Sequence, residues 1–164
     1  MKFIFNIQQY QTKAVESVTD VFKGHIKKDS QYIIDKSFNN NIEDYFDNEY
    51  GYGNGELSIN EEQILSNIKA IQNRNGLKIS NSLNIKYGKC SLNVSMETGT
   101  GKTYVYIKTI YELNKLYGWN KFIIIVPNVA IREGVKKSFE ITEEHFKLHY
   151  KKLAKYFVLS LIHI

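Results

Sequence analysis

Residues 96–103 read Met96-Glu97-Thr98-Gly99-Thr100-Gly101-Lys102-Thr103, a run ending in Gly-Lys-Thr. Glycines at alternate positions let a backbone come close to a bulky anion, so that successive N–H groups of such a loop can wrap a β-phosphate. Lys102 would place a point charge on the β- and γ-phosphates, and the Thr103 hydroxyl would ligate Mg²⁺. Thr98, Gly99, Thr100 and Gly101 would supply the rest of the loop. The chemistry is that of a phosphate-binding loop, with a nucleotide triphosphate such as ATP and Mg²⁺ as the cofactors it would take.

Such a loop is expected between a strand and a helix, and the helix adds the positive end of its dipole. Both flanks are readable. Upstream, Cys90, Leu92, Val94 and Met96 alternate as in a strand, and Gly99 and Gly101 break the pattern. Downstream, Val105, Thr109, Ile110, Leu113 and Leu116 follow helical spacing as far as Gly118, which suits a helix end. Next, Phe122-Ile123-Ile124-Ile125-Val126 is an apolar run between Lys121 and Pro127, as expected of a parallel strand buried on both faces. Strand, loop, helix and strand make a βαβ unit. The expected fold class is α/β, a partial RecA-like P-loop NTPase lobe with a parallel sheet and flanking helices.

Elsewhere, Tyr10, Ala14, Val15, Val18, Val21 and Phe22 give residues 8–28 one apolar helical face. Residues 30–60 hold no sustained period: Asn39-Asn40-Asn41, an acidic aromatic patch and Gly51-Tyr52-Gly53-Asn54-Gly55 read as a mobile insert. Asn60 before Glu61 and Glu62 caps a helix striped by Ile64, Leu65, Ile68 and Ile71 that stops at Asn75-Gly76. Residues 129–139 read as helical, Thr142 as the cap of a further helix, and Tyr156-Phe157-Val158 as the start of a third strand.

Composition narrows the setting. The chain has 164 residues, 43% hydrophobic and 24% charged, which excludes collagen, a disulfide scaffold and wholesale disorder. The one cysteine, Cys90, cannot close an internal disulfide, and the start MKFIFNIQQYQ lacks a secretion signal's basic and apolar regions, so a cytoplasmic location is expected. No stretch approaches the roughly 18 to 20 apolar residues that span a bilayer. The formal charge is +5 and unevenly spread: residues 101–164 carry 11 Lys and Arg against 5 Asp and Glu, while residues 1–100 carry 11 against 12. A polyanion would be met after residue 100, although a lysine face in solvent has the same composition.

The general phosphate-loop pattern asks for glycine where this chain has Met96. The form Glu-Thr-Gly-Thr-Gly-Lys-Thr resembles motif I of superfamily 2 helicases and translocases, where that glycine is commonly absent. Tyr10-Gln11-Thr12-Lys13-Ala14 resembles the upstream Tyr-Gln-x-x-Ala element of these motors, which implies that Gln11 reads the adenine. An amide suits that role, offering a donor and an acceptor together. Residues 126–135, Val-Pro-Asn-Val-Ala-Ile-Arg-Glu-Gly-Val, resemble motif Ia, which implies nucleic-acid contacts from Pro127, Asn128 and Arg132. A plain turn with Arg132 in solvent makes the same demands on sequence, and the two readings stand side by side.

Residues 96–106, 109–115, 121–127, 130–135 and 140–146 together look like the Res subunit of type III restriction and modification systems, closely over 91–146 and loosely over 8–22. The resemblance implies an ATP-dependent translocase and endonuclease acting on double-stranded DNA in complex with a methyltransferase (Mod) subunit. The alternatives are another superfamily 2 helicase of DEAD/DEAH type or a type I restriction motor, and a non-catalytic nucleotide- or DNA-binding module. Hydrolysis also needs an acidic residue on a later strand and usually an arginine finger. No Asp follows Asp47, and Arg132 is the only Arg after Arg74. The expected organisation is an N-terminal helix with the Gln element (1–29), the insert (30–60) and part of a first motor lobe (61–158), a fragment that at most binds nucleotide. Leu159-Ser160-Leu161-Ile162-His163-Ile164 resembles the in-frame translation of CTGTCTCTTATACACATC, a transposon-end adapter used in sequencing-library preparation.

Overall fold

The computed structural model describes residues 5–27, 54–86 and 88–158. Most of the expected insert (30–53) and the adapter-like end (159–164) lie outside the described residues. The chain divides into two compact units, residues 7–125 and residues 1–6 with 126–164.

In the first unit, α1 (Gln9–Thr19) runs into a 3-10 turn at Asp20–Phe22, followed by α2 (Glu61–Arg74) and α3 (Lys102–Tyr117). The apolar stripe of α1 buries Val15, and the turn buries Val21. α1 packs against α3, where Val105, Ile107, Tyr111, Leu113 and Tyr117 are buried, and α2, with Ile64 buried, packs against the turn. Polar groups fix the register of these helices. The Tyr117 hydroxyl donates to the Thr19 carbonyl (2.9 Å), and Lys108 Nζ donates to Thr12 Oγ1 (3.2 Å). Asn67 Nδ2 donates to the carbonyls of Val21 and Lys23 (2.9 Å each), so α2 takes over the carbonyls that the chain leaves free as α1 ends.

Helix ends follow the chemistry of their residues. Asn60 Oδ1 accepts from the Gln63 N–H (2.9 Å) at the start of α2, and Gly118 ends α3 at φ 77° with its N–H bonded to the Asn114 carbonyl. The two segments that return toward α1 and α3 are pinned by side chains that imitate backbone. His25 Nδ1 accepts from the Ser58 N–H (3.0 Å), and Asn54 Oδ1 accepts from the N–H groups of Asn120 and Lys121 (2.9 Å each).

In the second unit, α4 (Val129–Tyr150) is capped by Asn128, whose Oδ1 accepts from the Ile131 N–H (2.9 Å). It buries Phe146 and Thr142. Phe5 stacks at a tilt on His145 (ring centroids 5.1 Å apart), and Phe139 meets Tyr156 (5.3 Å). The break expected before Thr142 does not occur. Thr142 Oγ1 donates to the Ser138 carbonyl (2.7 Å) one turn back, which satisfies the hydroxyl inside a continuous helix and leaves it nothing to cap.

The α/β parallel sheet expected from the sequence is corrected by the structure: among the described residues there are four α-helices and no strand. The segments 90–96, 122–126 and 156–158 lie outside any helix and form no ladder. Alternation shows that a segment has two faces; a strand forms only when a neighbour about 4.8 Å away takes up its N–H and C=O groups. Such a ladder is lacking here, and the run expected to be buried on both faces leaves Ile123 88% and Ile125 89% exposed.

Candidate nucleotide-binding site

Residues 97–103 form a tight turn running directly into α3. The Thr100 N–H and Oγ1 both reach the Glu97 carbonyl (3.4 and 2.6 Å), with Gly99 between them at φ 81°. That is the positive φ a type II turn needs at its third position. Gly101 follows at φ 81° and ψ 38° as the N-cap of α3, and its carbonyl accepts from the Val105 N–H (3.0 Å). Two left-handed glycines within three residues explain the Gly-x-Gly spacing, since a Cβ at either would be strained.

Helix geometry leaves the first N–H groups of α3 without acceptors inside the helix. No acidic side chain lies in its first turn to offset the dipole, and Lys102 adds an exposed positive charge at that end. A Cβ on Gly99 would meet nothing within 4 Å, so the outer side of the loop is open. These features suit a polyphosphate: backbone donors, a cation at the loop end and the Thr103 hydroxyl one residue on. Tyr106 lies one turn beyond Thr103. Burial pushes its phenol above the ordinary tyrosine range and the Thr103 hydroxyl offsets part of that, though the phenol oxygen has no hydrogen bond of good geometry among the described residues.

The structure brings Gln11 to this loop from 89 positions earlier in the chain. Gln11 is buried, and its Nε2 donates to the Thr100 carbonyl (3.0 Å). It lies where a side chain on Gly101 would go, since a Cβ there would sit 2.6 Å from Gln11 Nε2. Sequence reasoning missed Tyr10 as a participant: its hydroxyl donates to the same Thr100 carbonyl (3.2 Å). The contact depends on α1 packing against α3, which spacing does not reveal.

Beside the loop, a groove of about 650 Å³ is lined by α1, α2 and the chain leading to Glu97. Val18, Ile68 and Ile71 line one part of it and Tyr10 and Thr100 another, whereas Lys102 and Thr103 do not border it. The remaining candidates, Pro127, Asn128 and Arg132, belong to the second unit. There the Asn128 side chain is engaged in capping α4, and Arg132 pairs with its neighbour Glu133 (3.2 Å). No helix of the described residues is long and apolar enough to cross a membrane.

Comparison with known proteins gives the same direction as the motifs. A family model described as "Type III restriction enzyme, res subunit" matches residues 4–157. The chain is 45% identical over 109 residues to the type III restriction-modification enzyme EcoP15I Res subunit of Escherichia coli, and 43% identical over 110 residues to the EcoPI Res subunit of Escherichia phage P1. Each match covers 65% of this chain and 11% of the relative. The StyLTI Res subunit of Salmonella typhimurium is 45% identical over 64 residues, 39% of this chain and 6% of that protein. With nearly its whole length matched by one family model, the loop 97–103 included, the chain belongs to the type III restriction enzyme Res subunit family.

Proposed function

We propose that this chain is the nucleotide-binding portion of a type III restriction motor, which takes ATP with Mg²⁺ at the loop 98–103. The observation that carries this reading is the meeting of Gln11 with Thr100 and Gly101 at the start of α3, beside Lys102 and Thr103. Backbone N–H groups and Lys102 would hold the β- and γ-phosphates, and the Thr103 hydroxyl would face Mg²⁺. Mg²⁺, when bound, would neutralise phosphate charge and orient the terminal group. The remaining donor and acceptor of the Gln11 amide suit an adenine edge.

Hydrolysis, DNA translocation and cleavage belong in this proposal to the whole Res protein acting on double-stranded DNA with its methyltransferase subunit. Pro127, Asn128 and Arg132 are the proposed contacts to the DNA backbone, and a cytoplasmic setting goes with that partner. The 164 residues by themselves bind nucleotide without turning it over. Titration with a fluorescent ATP analogue, run alongside a phosphate-release assay with and without duplex DNA, tests this directly. Saturable Mg²⁺-dependent binding without phosphate release is expected, and absence of binding, or sustained release by the chain alone, would defeat the reading.

A further inference from the structure

The carbonyl of Thr100 is held from α1 by two donors at once, the Tyr10 hydroxyl (3.2 Å) and Gln11 Nε2 (3.0 Å). A carbonyl has two lone pairs, and both are engaged. Within one trans peptide the C=O and the following N–H point in opposite directions. A Thr100 carbonyl fixed toward α1 therefore aims the Gly101 N–H away from α1. Gly101 is also the residue most free to lose that orientation, because without a Cβ its φ is little restricted and the Thr100–Gly101 peptide can flip. α1 is a fixed reference for this clamp, since Tyr117 and Lys108 of α3 bond Thr19 and Thr12 along it.

We propose that Tyr10 is a positioning residue for phosphate binding: with Gln11 it locks the Thr100–Gly101 peptide so that the Gly101 N–H is presented to the phosphates. The proposal rests on the nucleotide-binding reading above and adds a residue that touches neither base nor phosphate. Tyr10 is half exposed, so Tyr10→Phe removes a hydroxyl without emptying a core position. Binding of Mg²⁺-pyrophosphate, Mg²⁺-ADP and Mg²⁺-GDP is measured by calorimetry for the wild type, Tyr10→Phe and Ser17→Ala, the last being a change on α1 remote from Thr100. Backbone relaxation dispersion at the Gly101 amide nitrogen provides a reading without ligand.

Tyr10→Phe is expected to weaken all three ligands by a common factor, about 3- to 10-fold, as for one net hydrogen bond. It is also expected to introduce microsecond-to-millisecond exchange at Gly101, with Ser17→Ala like the wild type in both respects. Failure of the wild type to bind any of the three overturns the nucleotide reading and this proposal with it. Wild-type binding with unchanged Tyr10→Phe affinities overturns the proposal alone. So does a loss confined to ADP, which would make Tyr10 a base contact, or an equal loss in Ser17→Ala, which would make the effect a general loosening of α1.

Discussion

Gly101 carries two demands that only glycine meets, a left-handed backbone and a vacant side-chain position occupied by the Gln11 amide. Gly99 shares the first demand at the same φ of 81° but has open space around it. The two substitutions therefore separate strain from contact. Gly99→Ala should cost about 1–2 kcal/mol for a left-handed alanine. Gly101→Ala should cost roughly 1 kcal/mol more, because the Gln11 amide must give up the Thr100 carbonyl. Urea unfolding midpoints measure the difference, and equal losses would show that the contact with Gln11 contributes nothing. The turn of the loop into α3 was legible in the residues, since Gly-x-Gly ahead of a helical stripe marks a tight turn and a helix start, though the strand expected before it did not form. The second donor on Thr100 was not, because a tyrosine at a helix start has no spacing signature of its own.

α2 and α3 were legible almost to the residue, whereas the helix expected over 8–28 ends at Thr19 with a 3-10 turn to Phe22, and the two expected after residue 129 are one. Asn60 caps α2 where a short polar side chain precedes an apolar stripe, and α3 spans Lys102–Tyr117 between two glycines, as its periodicity required; the cap at Asn128 was not read from the sequence. Thr142 misled because a threonine hydroxyl satisfies itself inside a helix as readily as at its start. The strands misled for a different reason. A helix closes its own hydrogen bonds, whereas a strand's bonds lie in another segment, and the pattern of Leu92 and Val94 or of Ile123 and Ile125 cannot name that segment.

The joint between α1 and α3 shows how much one buried group contributes. Burial, with the nearby Asp20 carboxylate adding to it, pushes the Tyr117 phenol above its usual value of 10.0. A proton held more tightly in the folded state than in the unfolded one supports folding below pH 10 and loses that effect as pH rises through the folded value. Replacing Tyr117 by Phe should cost about 1 kcal/mol at neutral pH, from the lost bond to Thr19. That gap to the wild type should narrow as pH climbs past 10 in denaturation curves recorded across the range. Parallel curves would contradict the assignment.

At the scale of the molecule, one family model covers residues 4–157, and each leading match covers 11% of its relative. The chain holds the loop 97–103 joined to α1 through Thr100 and a separate unit built on α4, with 11 of its 22 basic residues after position 100. Family membership was legible because it resides in short runs of loop and helix residues. Nothing in the composition pointed to it: 20 of the 22 basic residues are Lys, which suits AT-rich coding DNA as well as a polyanionic partner. The central claim is that the start of α3 binds nucleotide phosphates through Lys102. Calorimetric titration of Mg²⁺-ADP into the wild type and Lys102→Ala tests it most directly. Saturable binding by the wild type is expected, with at least about a tenfold loss in the variant, the effect of removing one charge-assisted contact. Equal affinity of the two proteins would contradict it.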